Sequence, residues 1–130
     1  MAIETKLRNV NIGDILFVDI ETVPASPVFA GLNENFQKHW DKKSNYFRKE
    51  DETAEDVYQR AGIYAEFGKI VCISVGLVTN KENTQVLRVK SFASDDEKQL
   101  LMDFSSMISS WDPKGTKILC GHNIKEFDVP

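Results

Sequence analysis

The apolar run Ile15-Leu16-Phe17-Val18 passes straight into Asp19-Ile20-Glu21-Thr22, and this junction constrains the fold more than any other stretch. A continuous apolar run of this length predicts a strand covered on both faces. A similar junction recurs near the other end, where Lys117-Ile118-Leu119-Cys120 leads into Gly121-His122-Asn123-Ile124-Lys125-Glu126-Phe127-Asp128. An ionised carboxylate at the end of a buried strand is costly unless something positive meets it. Carboxylates that converge at strand ends can hold hard divalent cations.

The chain between these junctions alternates in character. From about 23 to 67 charges and aromatics mix without strand alternation, after Pro24 and Pro27 end regular pairing, which predicts a helical insertion. Within it, Thr53-Ala54-Glu55-Asp56 looks like a helix start, with Thr53 as cap. Val57, Ala61, Tyr64 and Ala65 follow at helical spacing over 53–66, and Gly68 marks the stop. Lys69 to Val78 is strand-favouring, Thr79 to Thr84 is loop-like, and Gln85 to Phe92 alternates as a third strand with one wet face. Ser94-Asp95-Asp96-Glu97 has the pattern of a capping box for a helix whose stripe is Leu100, Leu101, Phe104, Met107, Ile108 and Trp111. Pro113 and Gly115 close that helix, and Lys117 to Cys120 is a short final strand. A hairpin followed by a helical crossover predicts an α/β fold with a mixed sheet and at least one helical layer.

Composition narrows the function classes. The 130 residues suffice for one domain with a real core, and 42% hydrophobic against 28% charged residues argues against disorder. The net charge of −4 gives no general affinity for nucleic acid, so any such contact must be local or metal-assisted. No apolar run approaches the roughly 20 residues of a membrane helix, and the first residues lack the apolar stretch of a signal peptide. Cys72 and Cys120 lie in apolar runs, which predicts buried, reduced thiols and a cytoplasmic location.

Residues i and i+2 on a strand share a face, so Asp19 and Glu21 project together, with Ile20 turned away. Two readings stand: a strand-end acid pair bonded to backbone amides, or the start of a metal site. Asp128 fits either a helix cap or an anionic ligand near a helix N-terminus. Asn123, following Gly121, suits a turn support, and Phe127 suits core packing or a stacking face for a base. His39 belongs to the surface of the insertion, and His122 has no metal partner at regular spacing. Neither a nucleophile elbow nor a phosphate-binding glycine loop is present.

Taken together, the two motifs resemble those of the DEDD, or DnaQ-like, 3′–5′ exonucleases, which have a ribonuclease-H-like fold. The first family motif is matched by Asp19 and Glu21, the second by Asn123, Phe127 and Asp128. The wording Ala65-Glu66-Phe67-Gly68-Lys69-Ile70-Val71-Cys72-Ile73-Ser74 also resembles bacterial exonucleases related to the proofreading domain of family B polymerases. The resemblance implies a site of two Mg²⁺ or Mn²⁺ ions about 3.5–4 Å apart. It implies that Asp19 bridges the ions, that Glu21 holds the one carrying the attacking water, and that Asp128 holds the other. It implies contacts to the terminal nucleotide from Ile20, Thr22, Asn123 and Phe127. The implied partner is a nucleic acid with a free 3′ end, single-stranded.

The family's third motif, a His or Tyr followed four or five residues later by a metal-binding Asp, has no counterpart. The expectation is therefore a C-terminally truncated ribonuclease-H-like domain over 1–130, inactive by itself, with apolar surface left open to self-association. The alternative is a non-catalytic nucleic-acid-binding or protein-docking module with the same fold. A weaker third reading is a metal-dependent phosphatase or another ribonuclease-H-like enzyme.

Overall fold

The computed structural model describes residues 8–122. These form two compact units: the residues up to Ile20 together with those from Cys72 onward, and the segment Glu21–Val71.

The first unit is built on a mixed four-stranded sheet among the described residues, ordered β3-β2-β1-β4. The strands are β1 (Ile15–Pro24), β2 (Gly68–Lys81), β3 (Thr84–Ala93) and β4 (Ile118–Cys120). The β2–β3 pair is antiparallel and the β1–β4 pair is parallel, with Ile15 opposite Ile118 and Phe17 opposite Cys120. The α/β class and the mixed sheet agree with the sequence pattern.

One helix, Glu97–Trp111, follows β3 and packs against it. Phe104 of this helix meets Phe92 edge-on at 6.0 Å, and Leu100 is fully buried. Phe92 pairs across with Ile73, so Ile73 and Val75 of β2 share the helix-covered face. Leu16 and Val18 are buried too, while Phe17 lies against Gly76 on the opposite face. That opposite face is open: Phe17 is 37% exposed, Leu87 63% and Val89 67%. The expectation of two-sided cover for β1 is thus corrected. The apolar run recorded a strand of high β-propensity, not a second covering layer.

Four local expectations also change. The helix cap is Asp96, whose side chain accepts from the Gln99 amide, whereas the Ser94 hydroxyl accepts from the Asp96 amide. The cap therefore sits two residues later than the Ser94 box. Leu101 turns out of the apolar stripe to the surface, and Cys120 is exposed rather than buried. The hairpin loop shrinks to Glu82 and Asn83, both with positive φ (51° and 64°), because the strands pair as far as Lys81 and Thr84. Two positive-φ residues make a type I′ turn, whose twist suits antiparallel strands. Glutamate is a poor occupant of that conformation. Glu82→Asn should therefore raise stability by about 0.5–1 kcal/mol, read as a higher urea midpoint at unchanged slope.

The second unit centres on Trp40, from helix α1 (Glu34–Ser44); the sheet helix Glu97–Trp111 is then α2. Asn33 caps α1 by accepting from the Phe36 amide at 2.9 Å. Trp40 is fully buried among Ala54, Val57, Tyr58, Ala61 and Phe67. The helix expected over 53–66 is replaced by turns and a 3-10 helix, Tyr58–Ile63. Thr53 does act as a local cap: its hydroxyl accepts from the Asp56 amide, and its own amide donates to the Asp56 carboxylate. Hydrogen bonding to the carboxylate from Thr53, its backbone amide first and then its side chain, holds the Asp56 carboxyl below its ordinary 3.8. This contribution is present above that value and is lost as the pH falls through the lowered one. Gly62 lies close to Val23 and Pro24, where a Cβ would stand 3.1–3.3 Å from their atoms. Its carbonyl also accepts from the Thr22 hydroxyl.

Candidate functional site

Alternation along β1 decides where the first motif points. Leu16 and Val18 are buried, while Phe17, Asp19, Glu21 and Val23 are exposed. Asp19 and Glu21 therefore share the open face of β1, roughly 7 Å apart along the strand. Ile20 and Thr22 alternate to the other side, and the Thr22 hydroxyl is already committed to the Gly62 carbonyl.

No hydrogen bond or ion pair ties either carboxylate to another described residue. Exposure removes the burial penalty that the apolar run had suggested. At roughly 7 Å in water the mutual repulsion is only about 0.6 kcal/mol. Water alone can therefore support the pair, and both carboxylates remain available to a cation. The open position, shared face and hard oxygen donors fit Mg²⁺ or Mn²⁺ as part of a ligand set. Two carboxylates are too few for a complete set, and no cluster of three or more His, Cys, Asp or Glu suited to a metal occurs among the described residues.

Parallel pairing brings the start of the second motif, Gly121 and His122, to the same end of the sheet. Strands that run the same way end at the same edge, and Phe17 is level with Cys120. Two residues further on, β1 reaches Asp19 and the other chain segment reaches His122, which is exposed. Asn123, Phe127 and Asp128 lie outside the described residues. The register thus brings Gly121 and His122 to the end of the sheet that carries Asp19, a relation that sequence spacing does not reveal.

Sequence reasoning passed over a different group in the insertion. Phe36, His39, Lys43 and Tyr46 recur at three- and four-residue steps along one side of α1 and its continuation, with Lys42 beside them. The 3-4-3 spacing is the signal that could have found them.

No helix among the described residues is long and apolar enough to cross a membrane. No family model matches this chain, and neither a curated protein nor a solved structure does.

Proposed function

We propose that this chain carries the catalytic half-site of a metal-dependent 3′–5′ exonuclease of the DnaQ-like type, on a ribonuclease-H-like version of the mixed sheet. The observation that carries the reading is the parallel β1–β4 register. It brings the Asp19-Ile20-Glu21 motif and His122, which Asp128 follows by six residues in the sequence, to the same end of the sheet. Asp19 and Glu21 present their oxygens on the open face, where Mg²⁺ or Mn²⁺ would bind, with Asp128 completing the set. Bound ions of this kind lower the pKa of a water and neutralise charge developing on a phosphodiester. The chain's own part is to fix two anionic donors on one rigid strand, with the Thr22–Gly62 bond securing the strand's exit. Asn123 and Phe127 would border the terminal nucleotide, with Ile20 and Thr22 reaching it through their backbone because their side chains turn to the other side of β1, and the substrate is a single-stranded 3′ end.

No residue matches the family's third motif, so the chain alone is expected to bind metal with little turnover. A reducing cytoplasmic setting suits this reading, since Cys72 and Cys120 are free thiols. The second reading, a binding module without catalysis, draws on the open apolar face of Phe17, Leu87 and Val89, which also favours self-association.

Manganese titration followed by electron paramagnetic resonance tests the proposal. Saturable binding of Mn²⁺, displaced by Mg²⁺, is the expected result. Absence of binding up to millimolar Mn²⁺ would return Asp19 and Glu21 to a strand-end acid pair. Metal-dependent shortening of a 5′-labelled strand by the chain alone would uphold the nuclease but overturn its expected inactivity.

A further inference from the structure

The Glu21–Val71 unit holds a cavity of about 370 Å³ lined by Phe36, His39, Lys42, Lys43, Tyr46 and Phe67, with Glu66 at its edge. The volume is near the lower end for small-ligand pockets, enough for one flat ring system and part of its sugar. Its apolar surface is aromatic. Phe67 is buried and meets Phe36 edge-on at 6.3 Å, while the Tyr46 side is 83% exposed. An exposed ring beside a concave aromatic wall is a stacking platform.

The rim is cationic. Lys43 is held in place by Glu66 at 3.4 Å and by the Tyr64 ring at 4.9 Å. Its charge is therefore largely answered within the protein. Lys42 is exposed and has no ion pair among the described residues. With two lysines against one glutamate, the lining is positive on a chain whose net charge is −4. A local positive rim around aromatic walls selects a ligand that is flat and apolar in one part and anionic in the adjoining part. A nucleotide has that form. A greasy peptide would have no use for the lysine, and a simple anion none for the rings.

We propose that this pocket binds a base of a single-stranded nucleic acid, stacked on Tyr46 and Phe36, with Lys42 meeting the adjoining phosphate. The inference deepens the exonuclease reading by giving the insertion a strand-holding role, but its test needs no metal and no turnover.

The test is fluorescence anisotropy of a labelled 12-nucleotide oligothymidylate titrated with the whole chain in EDTA at low salt. Tyr46→Ala should weaken binding about 5- to 100-fold, as expected for removing one stacking partner. Lys42→Ala should weaken it and reduce the slope of log affinity against log salt by about 0.7. Both side chains are exposed, and circular dichroism of each variant verifies the fold. If the parent chain binds the oligonucleotide in EDTA but fails to bind Mn²⁺, only the nuclease reading falls. The pocket proposal is overturned by any of three results. These are no binding of the oligonucleotide, equal binding by both pocket variants and the parent, or equal affinity for a duplex, whose bases are already stacked.

Discussion

Trp40→Ala should cost about 3–5 kcal/mol and loosen the whole Glu21–Val71 unit. The ring is 0% exposed and is ringed by Phe47, Tyr58, Tyr64 and Phe67, with centroids 5.2–6.0 Å away. Its removal leaves a void that a short helix and a 3-10 turn cannot close without giving up each other. The indole Nε1 also donates to the Ala54 carbonyl at 2.8 Å, and a buried acceptor left without a donor costs a further 1–3 kcal/mol or so. Against a typical domain stability of about 5–15 kcal/mol, that loss decides whether the unit folds. Urea unfolding followed by far- and near-ultraviolet circular dichroism measures it. Trp40→Phe separates the two contributions, since it keeps much of the ring packing and loses the hydrogen bond. A loss below about 1 kcal/mol for Trp40→Ala would mean that the aromatic cluster does not hold the insertion together.

The same cluster explains which elements could be read from sequence. The hairpin and α2 have strong periods of their own, at two and at three to four residues, so their existence was legible. α1 has only Phe36 and Trp40 as apolar residues. Its stability comes from Trp40 meeting residues 54–67, partners that no local window contains. Ala54, Val57, Tyr58 and Ala61 have helical spacing, but they reach Trp40 from turns and a 3-10 helix. The cover of β1 was misjudged for a related reason. An apolar run records what a strand tolerates, whereas the layer above Phe17 depends on chain far away. For the candidate site, the shared face of Asp19 and Glu21 followed from the two-residue period. The levelling of Cys120 with Phe17 needed the knowledge that β4 pairs with β1.

Asp19→Asn should lower Mn²⁺ affinity by more than about 100-fold while changing stability by no more than about 0.5 kcal/mol. The two halves of this expectation rest on different observations. Stability is spared because Asp19 is exposed and bonds to no other described residue, and the amide has nearly the same shape. Affinity falls because hard-cation sites depend on the charge count of their oxygen ligands. Losing an outer-shell partner already costs about 10–100-fold, and a direct anionic ligand exceeds that. Glu21→Gln should fall in the same direction, since its carboxylate shares the face. Asp14→Asn is the informative control: Asp14 is another exposed acid, in the short turn just before β1. If all three variants weaken Mn²⁺ equally, the ion is held diffusely by a chain of net charge −4, and the strand-end site does not exist. If Asp14→Asn is silent while Asp19→Asn and Glu21→Gln are not, binding is local to β1. In a polypeptide that also carries the third motif, removal of 3′ nucleotides should then fall in step with that affinity.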